Sequence, residues 1–337
     1  MGNMLPGSMA KSLGLLIGFA LLLICMFASL AYGATDIGWK DVVDSFIHYD
    51  TGSNEQVIVQ TSRTPRTMIA AAVGASLAIS GALIQAVTRN PLAEPNVLGV
   101  NYGAVFFVVF AVTVLSVTSL AKLMWISFAG AVFGAAVVYL LGSAGRDGLT
   151  PLKIILAGAA VSALFTSFTQ GMLVLNEQGL NDVLFWLTGS VAGRTMEMLS
   201  EVWPFMAGCW IVSLLLARHL NVLTMGEDTA QGLGQRTLAV KLLAGAVIGL
   251  LAGSSVAVAG PVGFIGMVIP YVARFFTGPD YRWIIPFSAL LGAILLLIAD
   301  IAARFVIMPE ELPVGVMTAF VGIPVFIYLA RRGLEKS

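Results

Sequence analysis

The chain has 337 residues, of which 58% are hydrophobic and 11% charged, with 36 glycines and a formal charge of zero from 18 basic and 18 acidic side chains. So much apolar surface cannot be hidden in one water-soluble core, and balanced charge without a basic tract gives no purchase on nucleic acid. The composition predicts an all-α, polytopic membrane bundle.

The first apolar run, residues 13–32, follows a single Lys11 and resembles a secretory signal in its order of charge and grease. A signal's apolar core is about 7 to 15 residues, and this run is about 20, so a retained first helix is expected. Residues 34–62 form a polar extracytoplasmic stretch in which Asp36, Asp41, Asp44, Asp50 and Glu55 stand around Trp39, Val42, Val43, Phe46 and Ile47. It reads equally as a short interfacial amphipathic helix or as a solvated loop. Next come Arg63, Pro65 and Arg66, directly before the second run, 67–88. Proline suits a first helical turn, but the helix dipole opposes arginines there, so a group outside the helix is expected to hold them. A polar, proline-broken turn at 90–95 precedes the third run, 97–118. Further runs lie at 123–141, 152–175, 199–217, 238–257, 262–275, 283–300 and 314–330, which makes about ten transmembrane helices in one domain, 1–337. Residues 176–198 are mixed, and their FWLTGS reads as a short non-spanning helix.

With the N-terminus inside, 12 of the 18 basic residues fall on the cytoplasmic side and 6 outside, which predicts that both termini are cytoplasmic. Small-residue faces recur: Gly245, Gly249 and Gly253; Gly130 and Gly134; Ala70, Gly74, Ala78 and Ala82. Such faces let helices approach closely in lipid. Cys25 and Cys209 lie in apolar runs without a CxxC spacing and read as packing residues.

No carboxylate pair and no buried Lys or His is expected within the spans, which hold little that is polar beyond Gln85. An ion-coupled carrier would usually need such groups. Nor is there a phosphate-binding loop, a metal-ligand cluster or a catalytic constellation, so no catalytic residue, metal or cofactor is expected. Energy must come from a partner. The polar insert 218–237 offers the entry point: Gly226, then Glu227 and Asp228, then a short helical stretch closing at Gly232 or Gly234. On its own it reads as a connector.

Five motifs in order change that reading: RTPR (63–66), SGALIQAVTRNPLAEPNVLGVNYGA (80–104), LNVLTMGEDTAQGLGQ (220–235), GPVGFIGMVIPYVARFFTGPDYR (260–282) and ADIAARFVIMPEELPVGVMTAFVGIPVFIYL (299–329). The chain resembles the permease subunits of bacterial ABC importers for iron-siderophores, haem and cobalamin. The resemblance implies that Arg63, Arg66 and Arg304 face glutamates of an extracytoplasmic substrate-binding protein. The competing reading is arginines snorkelling to lipid headgroups. It implies that 226–234 is a cytoplasmic coupling segment seated on an ABC ATPase, with Gly226, Glu227, Asp228, Thr229, Ala230, Leu233 and Gly234 at that contact. It also implies that Asn90 and Leu92, with Gln85, belong to the inner gate and translocation path, although 90–95 equally reads as an ordinary proline turn. Tyr271 stands where many relatives carry histidine, so a role there that needs protonation is in doubt.

The implied assembly is two permease subunits, identical or paralogous, with ATPase subunits and a binding protein in the bacterial cytoplasmic membrane. The missing His and carboxylate ligands argue against a bare cation and suit a chelate. Ferric siderophore comes first, with haem and cobalamin as alternatives, and an ion-coupled secondary carrier is the reading from another class.

Overall fold

The computed structural model describes residues 4–5, 7–33, 35, 37–144, 150–175, 187–307 and 310–334. Its helices are α1 (Ser8–Ala31), α2 (Trp39–Ile47), α3 (Asn54–Ile58), α4 (Thr64–Thr88), α5 (Val100–Thr113), α6 (Leu120–Ser143) and α7 (Pro151–Leu175). They continue with α8 (Met196–Thr224), α9 (Glu227–Gly232), α10 (Thr237–Ala259), α11 (Ile265–Thr277), α12 (Tyr281–Ala303) and α13 (Val314–Leu334). Among the described residues, seven helices are long and apolar enough to cross a membrane, and the apolar helices Val100–Thr113, Ile265–Thr277 and Val314–Tyr328 are shorter. Every apolar run expected from hydropathy falls on one of these ten. Of the expected FWLTGS helix, residues 185–186 lie outside the described residues; Leu187 is helical, and the chain turns out of the helix over 188–190.

The axis of the bundle is α4, buried along nearly its whole length against α12, α10, α11 and α8. It begins earlier than its hydropathy suggests. Residues Asn54–Thr88 form one continuous helix, with a π-turn at Val59–Arg63 just ahead of Pro65. Proline has no N–H to give the preceding turn, and the wider π ring absorbs the missing bond without ending the helix. Thr64 assists by donating its hydroxyl to the Val59 carbonyl at 2.8 Å. Of the two readings of 34–62, the amphipathic helix is present as α2, whose Val42 is buried while Trp39 stacks on Phe27 of α1.

The small-residue faces are helix crossings. Gly245, Gly249 and Gly253 of α10 lie on Tyr139, Ala135 and Ala131 of α6. Gly130 and Gly134 of α6 meet Gly103 and Gly99, and Gly74 of α4 meets Gly292 of α12. Another close crossing joins α4 to the start of α11, where a Cβ on Gly81 would overlap the Gly266 carbonyl.

Helices α5 and α11 are short. Thirteen residues rise only about 20 Å, against a hydrocarbon core of about 30 Å, so α11 starts inside the membrane. Irregular backbone at that depth must be satisfied by protein. Ser190 N–H donates to Ala259 O (2.8 Å), Gly315 N–H to Gly189 O (3.2 Å), and Phe264 N–H to Glu94 Oε1 (2.8 Å). Phe264 sits at φ +68, a left-handed conformation that costs a non-glycine residue about 1–3 kcal/mol. The Glu94 bond pins it there.

At the end of the bundle that holds α9, Asp280 caps α12 and joins it to α8. Its carboxylate accepts from Asn221 (2.7 Å) and Arg282 (2.8 Å), and Asn221 Oδ1 accepts the Tyr281 N–H (2.8 Å). Partial burial works against the charge, but the bonds from Arg282 and Asn221 prevail and hold Asp280 at about 2, below its ordinary 3.8. A depressed carboxylate stabilises the fold above its unfolded value and loses that contribution as pH falls through the folded one. Thermal unfolding is therefore expected to fall between about pH 4 and pH 2 in the wild type. Asp280→Asn should start lower at neutral pH and show a smaller fall over that window.

Candidate functional site

The residues singled out by sequence lie at three levels. At the end of the bundle away from α9 the centre is Asp300 of α12, which is 1% exposed. Arg66 donates to it from Nε (3.0 Å) and Nη2 (2.8 Å), and from Nη1 to Glu311 (2.7 Å). Arg304, four residues beyond Asp300 on the same helix face, donates to the same carboxylate. The same Nη2 also donates to Ser29 Oγ (2.9 Å), and Nη1 donates to Ser29 O (2.8 Å) and Tyr32 O (2.7 Å). Arg63 donates to Leu30 O (2.8 Å), to Ala31 O and to Thr35.

These bonds revise the picture of arginines placed against their helix dipole. Arg63 lies inside a continuous helix rather than at its start, and the group that holds it is the carbonyl end of α1, the negative pole of another dipole. Arg63 and Arg304 are 5% and 2% exposed, so their guanidiniums are internal ties; Arg66 reaches the rim through Glu311. The expectation of spans without buried lysine is likewise corrected, and a carboxylate is buried there as well. Asp300 is buried in α12, and Lys241, near the start of α10, is 2% exposed. Both are paired and both lie close to helix ends.

At the middle level Gln85 is a clamp. Its Nε2 donates to Met267 O (3.0 Å), and its Oε1 accepts from Arg274 Nη2 (3.1 Å), which also donates to the Tyr281 hydroxyl (3.0 Å). The side chain takes up a carbonyl of α11 and is itself buried. Asn90 makes the turn after α4: its Oδ1 accepts the Leu92 N–H at 2.9 Å, and Arg89 ahead of it ends the helix at φ +50. Leu92 is half-buried, as is Tyr271 on α11.

At the opposite end Gly226, at φ +128, turns the chain from α8 into α9, a conformation that glycine permits. Glu227 then points back into the bundle. It meets Lys241 Nζ at 2.6 Å, and Arg89 Nη2 lies 4.0 Å from its other oxygen. Ala230 is fully buried, so α9 presents Asp228, Thr229, Gln231 and Leu233 outward, with Gly234 also exposed. Met225 and Leu233, 69% and 67% exposed, bracket this short helix with apolar surface. Glu227→Gln should cost about 2 kcal/mol, because Lys241 keeps its burial and loses its charged partner. Chemical denaturation beside Asp228→Asn, expected within about 0.5 kcal/mol of wild type, would check this.

A family model described as the FecCD transport family matches residues 21–332. The chain belongs to that family. Among curated relatives, the probable siderophore transport system permease protein YfiZ of Bacillus subtilis is 53% identical over 94% of each chain. The Fe(3+)-citrate import system permease protein YfmD of the same organism is 45% identical over 90% of each. A solved structure assigned to the metal-chelate type of ABC transporter, in an inward-facing conformation, superposes with a TM-score of 0.83 at 28% identity, covering 94% of this chain and 98% of that one. The FecCD chain is thus a membrane bundle whose polar groups are concentrated at its two ends and at the breaks of its short helices.

Sequence reasoning passed over Asp300, Glu311, Lys241, Glu94 and Met225. Asp300 had a usable signal, its i,i+4 spacing from Arg304. Glu94 had none, because its partner Phe264 is 170 residues away; Lys241 meets Glu227, 14 residues before it, only through the turn at Gly226.

Proposed function

We propose that this FecCD chain is the membrane-spanning subunit of an ATP-driven importer of iron chelates, with ferric siderophores as its first substrate class. The correspondence over 94% of the chain with a siderophore permease carries the reading. Relatives named for ferric hydroxamate and ferric enterobactin import, 44% and 38% identical, agree with it. ATP hydrolysis resides on a separate subunit in this reading, and a substrate-binding protein delivers the chelate on the side of Arg66. Both chain ends and α9 face the cytoplasm, and two such subunits flank the path.

The geometry supports a division of labour. Asp228, Thr229, Leu233 and Met225 form the surface offered to the ATPase, while Glu227 and Ala230 anchor that surface to the bundle. Movement of α9 would reach the Asn90–Leu92 turn through Glu227 and Arg89. On the other side, an acidic group of the binding protein would compete with Glu311 for Arg66, and Arg63 and Arg304 hold the helix ends in register for that exchange. An exposed ion pair of this kind is worth about 0.2–1 kcal/mol, so it serves steering more than affinity. Asp300 and Lys241 do not favour an ion-coupled carrier, since each is already matched by a counter-charge.

The test is uptake of radiolabelled ferric siderophores, haem and cobalamin by cells that lack their own permeases and receive this chain with its partner subunits. Saturable uptake of a ferric siderophore is expected. Uptake of haem or cobalamin alone would move the substrate to those alternatives.

A further inference from the structure

The breaks of the short helices surround a cavity of about 450 Å³, within the range of small-molecule sites, roughly 300–1,000 Å³. Its polar wall comes from Asn96 and, on α5 and α7, from Asn101, Tyr102, Thr166, Thr169 and Gln170. Thr169 is buried, and its hydroxyl has no hydrogen-bond partner among the described residues. A buried, unpaired hydroxyl in a membrane bundle carries a desolvation cost that a bound ligand would relieve. Irregular backbone at membrane depth is tolerated where it lines such a cavity, and transporter substrate sites gather at interrupted helices.

Charge sets the class of ligand. No Lys, Arg, Asp or Glu lines the cavity among the described residues. The ionisable group at its edge is acidic: Glu94 Oε1 lies within 3.6 Å of where a Cβ on the lining Gly263 would stand. An anion here would be desolvated without a counter-charge and beside a carboxylate, and both effects oppose it. A neutral ligand rich in carbonyl oxygens would instead accept hydrogen bonds from Asn96, Asn101, Tyr102, Thr169 and Gln170. Three hydroxamates cancel the charge of Fe(III), whereas citrate and catecholate complexes stay anionic.

We propose that this cavity is a site on the translocation path for net-neutral, hydroxamate-type ferric chelates and selects against anionic ones. The assignment rests on the importer reading above. The experiment uses the full assembly in cells, with radiolabelled ferric trihydroxamate, ferric citrate and a ferric tris-catecholate compared at matched occupancy of the binding protein. Trihydroxamate is expected to move fastest. Thr169→Val and Asn101→Leu should each reduce its maximal rate roughly fivefold, the factor carried by about one lost hydrogen bond. Thr169→Val keeps shape and removes an unpaired hydroxyl, so its thermal stability should be unchanged or higher, and a rate loss there is not a folding defect. Anionic chelates moving as fast as trihydroxamate, or variants at wild-type rate, would overturn the cavity assignment alone. Absence of uptake for every chelate would overturn the importer reading and this inference with it.

Discussion

Asp300→Ala is expected to lower the stability of the purified protein by about 3–5 kcal/mol, the cost of leaving buried charge uncompensated. The substitution strips the shared carboxylate from Arg66 and Arg304 together. Arg304 lies under the end of α1, bonded to Ser29 and Tyr32, so it cannot turn to water without loosening α1 from α12. Arg66→Met should cost less, because Asp300 then keeps Arg304 and the freed Glu311 is 31% exposed. Thermal unfolding in detergent, with membrane abundance as a second readout, decides the order. An Asp300→Ala loss below about 1 kcal/mol would mean that the three side chains are hydrated and tie nothing together.

Gly81→Leu is expected to abolish stable accumulation in the membrane. At Gly81 the backbone of α4 rests on that of Gly266, and Pro95 presses on Gly266 beside Leu77. A Cβ alone must push the helices apart, and overpacking costs about 1–3 kcal/mol before any larger side chain is added. The shift would also move Phe264 away from Glu94 and Met267 away from Gln85, so bonds at the helix break would fail with the packing. Gly208→Ala is the control: its Cβ meets nothing within 4 Å, and alanine in a helix gains about 0.5–1 kcal/mol over glycine. Equal abundance of Gly81→Leu and wild type would contradict the crossing.

The helices were legible because length and apolarity decide them: each run appears near its expected place, and the glycine and alanine faces became helix crossings. The helix ahead of α4 was not, because polar residues up to 62 read equally as a short interfacial helix or a solvated loop, while Val59 and Ile58 pack under the end of α1 in one helix continuous with α4. For the arginines, the sequence signal was sound and its interpretation incomplete. The arginines do have partners outside their helix, though they stand within it and not at its start; Arg66 meets Asp300 across 234 residues, and no local pattern reports such a pairing. The same holds for Glu227, which the family resemblance put at the ATPase contact; the φ at Gly226 and the place of Lys241 show that it turns inward. The cavity was illegible for a similar reason. Its threonines and amides are ordinary residues of apolar helices until the breaks at 94–99 and 260–264 bring them to one wall.

The central claim is that this chain moves iron chelate only when a partner subunit hydrolyses ATP. The most direct measurement is ferric-siderophore uptake by cells carrying the chain, its binding protein and either the intact ATPase or one inactivated at its catalytic glutamate, with membrane abundance of the chain matched. Uptake with the intact ATPase and background counts with the inactive one is the predicted result. Uptake that continues with the inactive ATPase would contradict it.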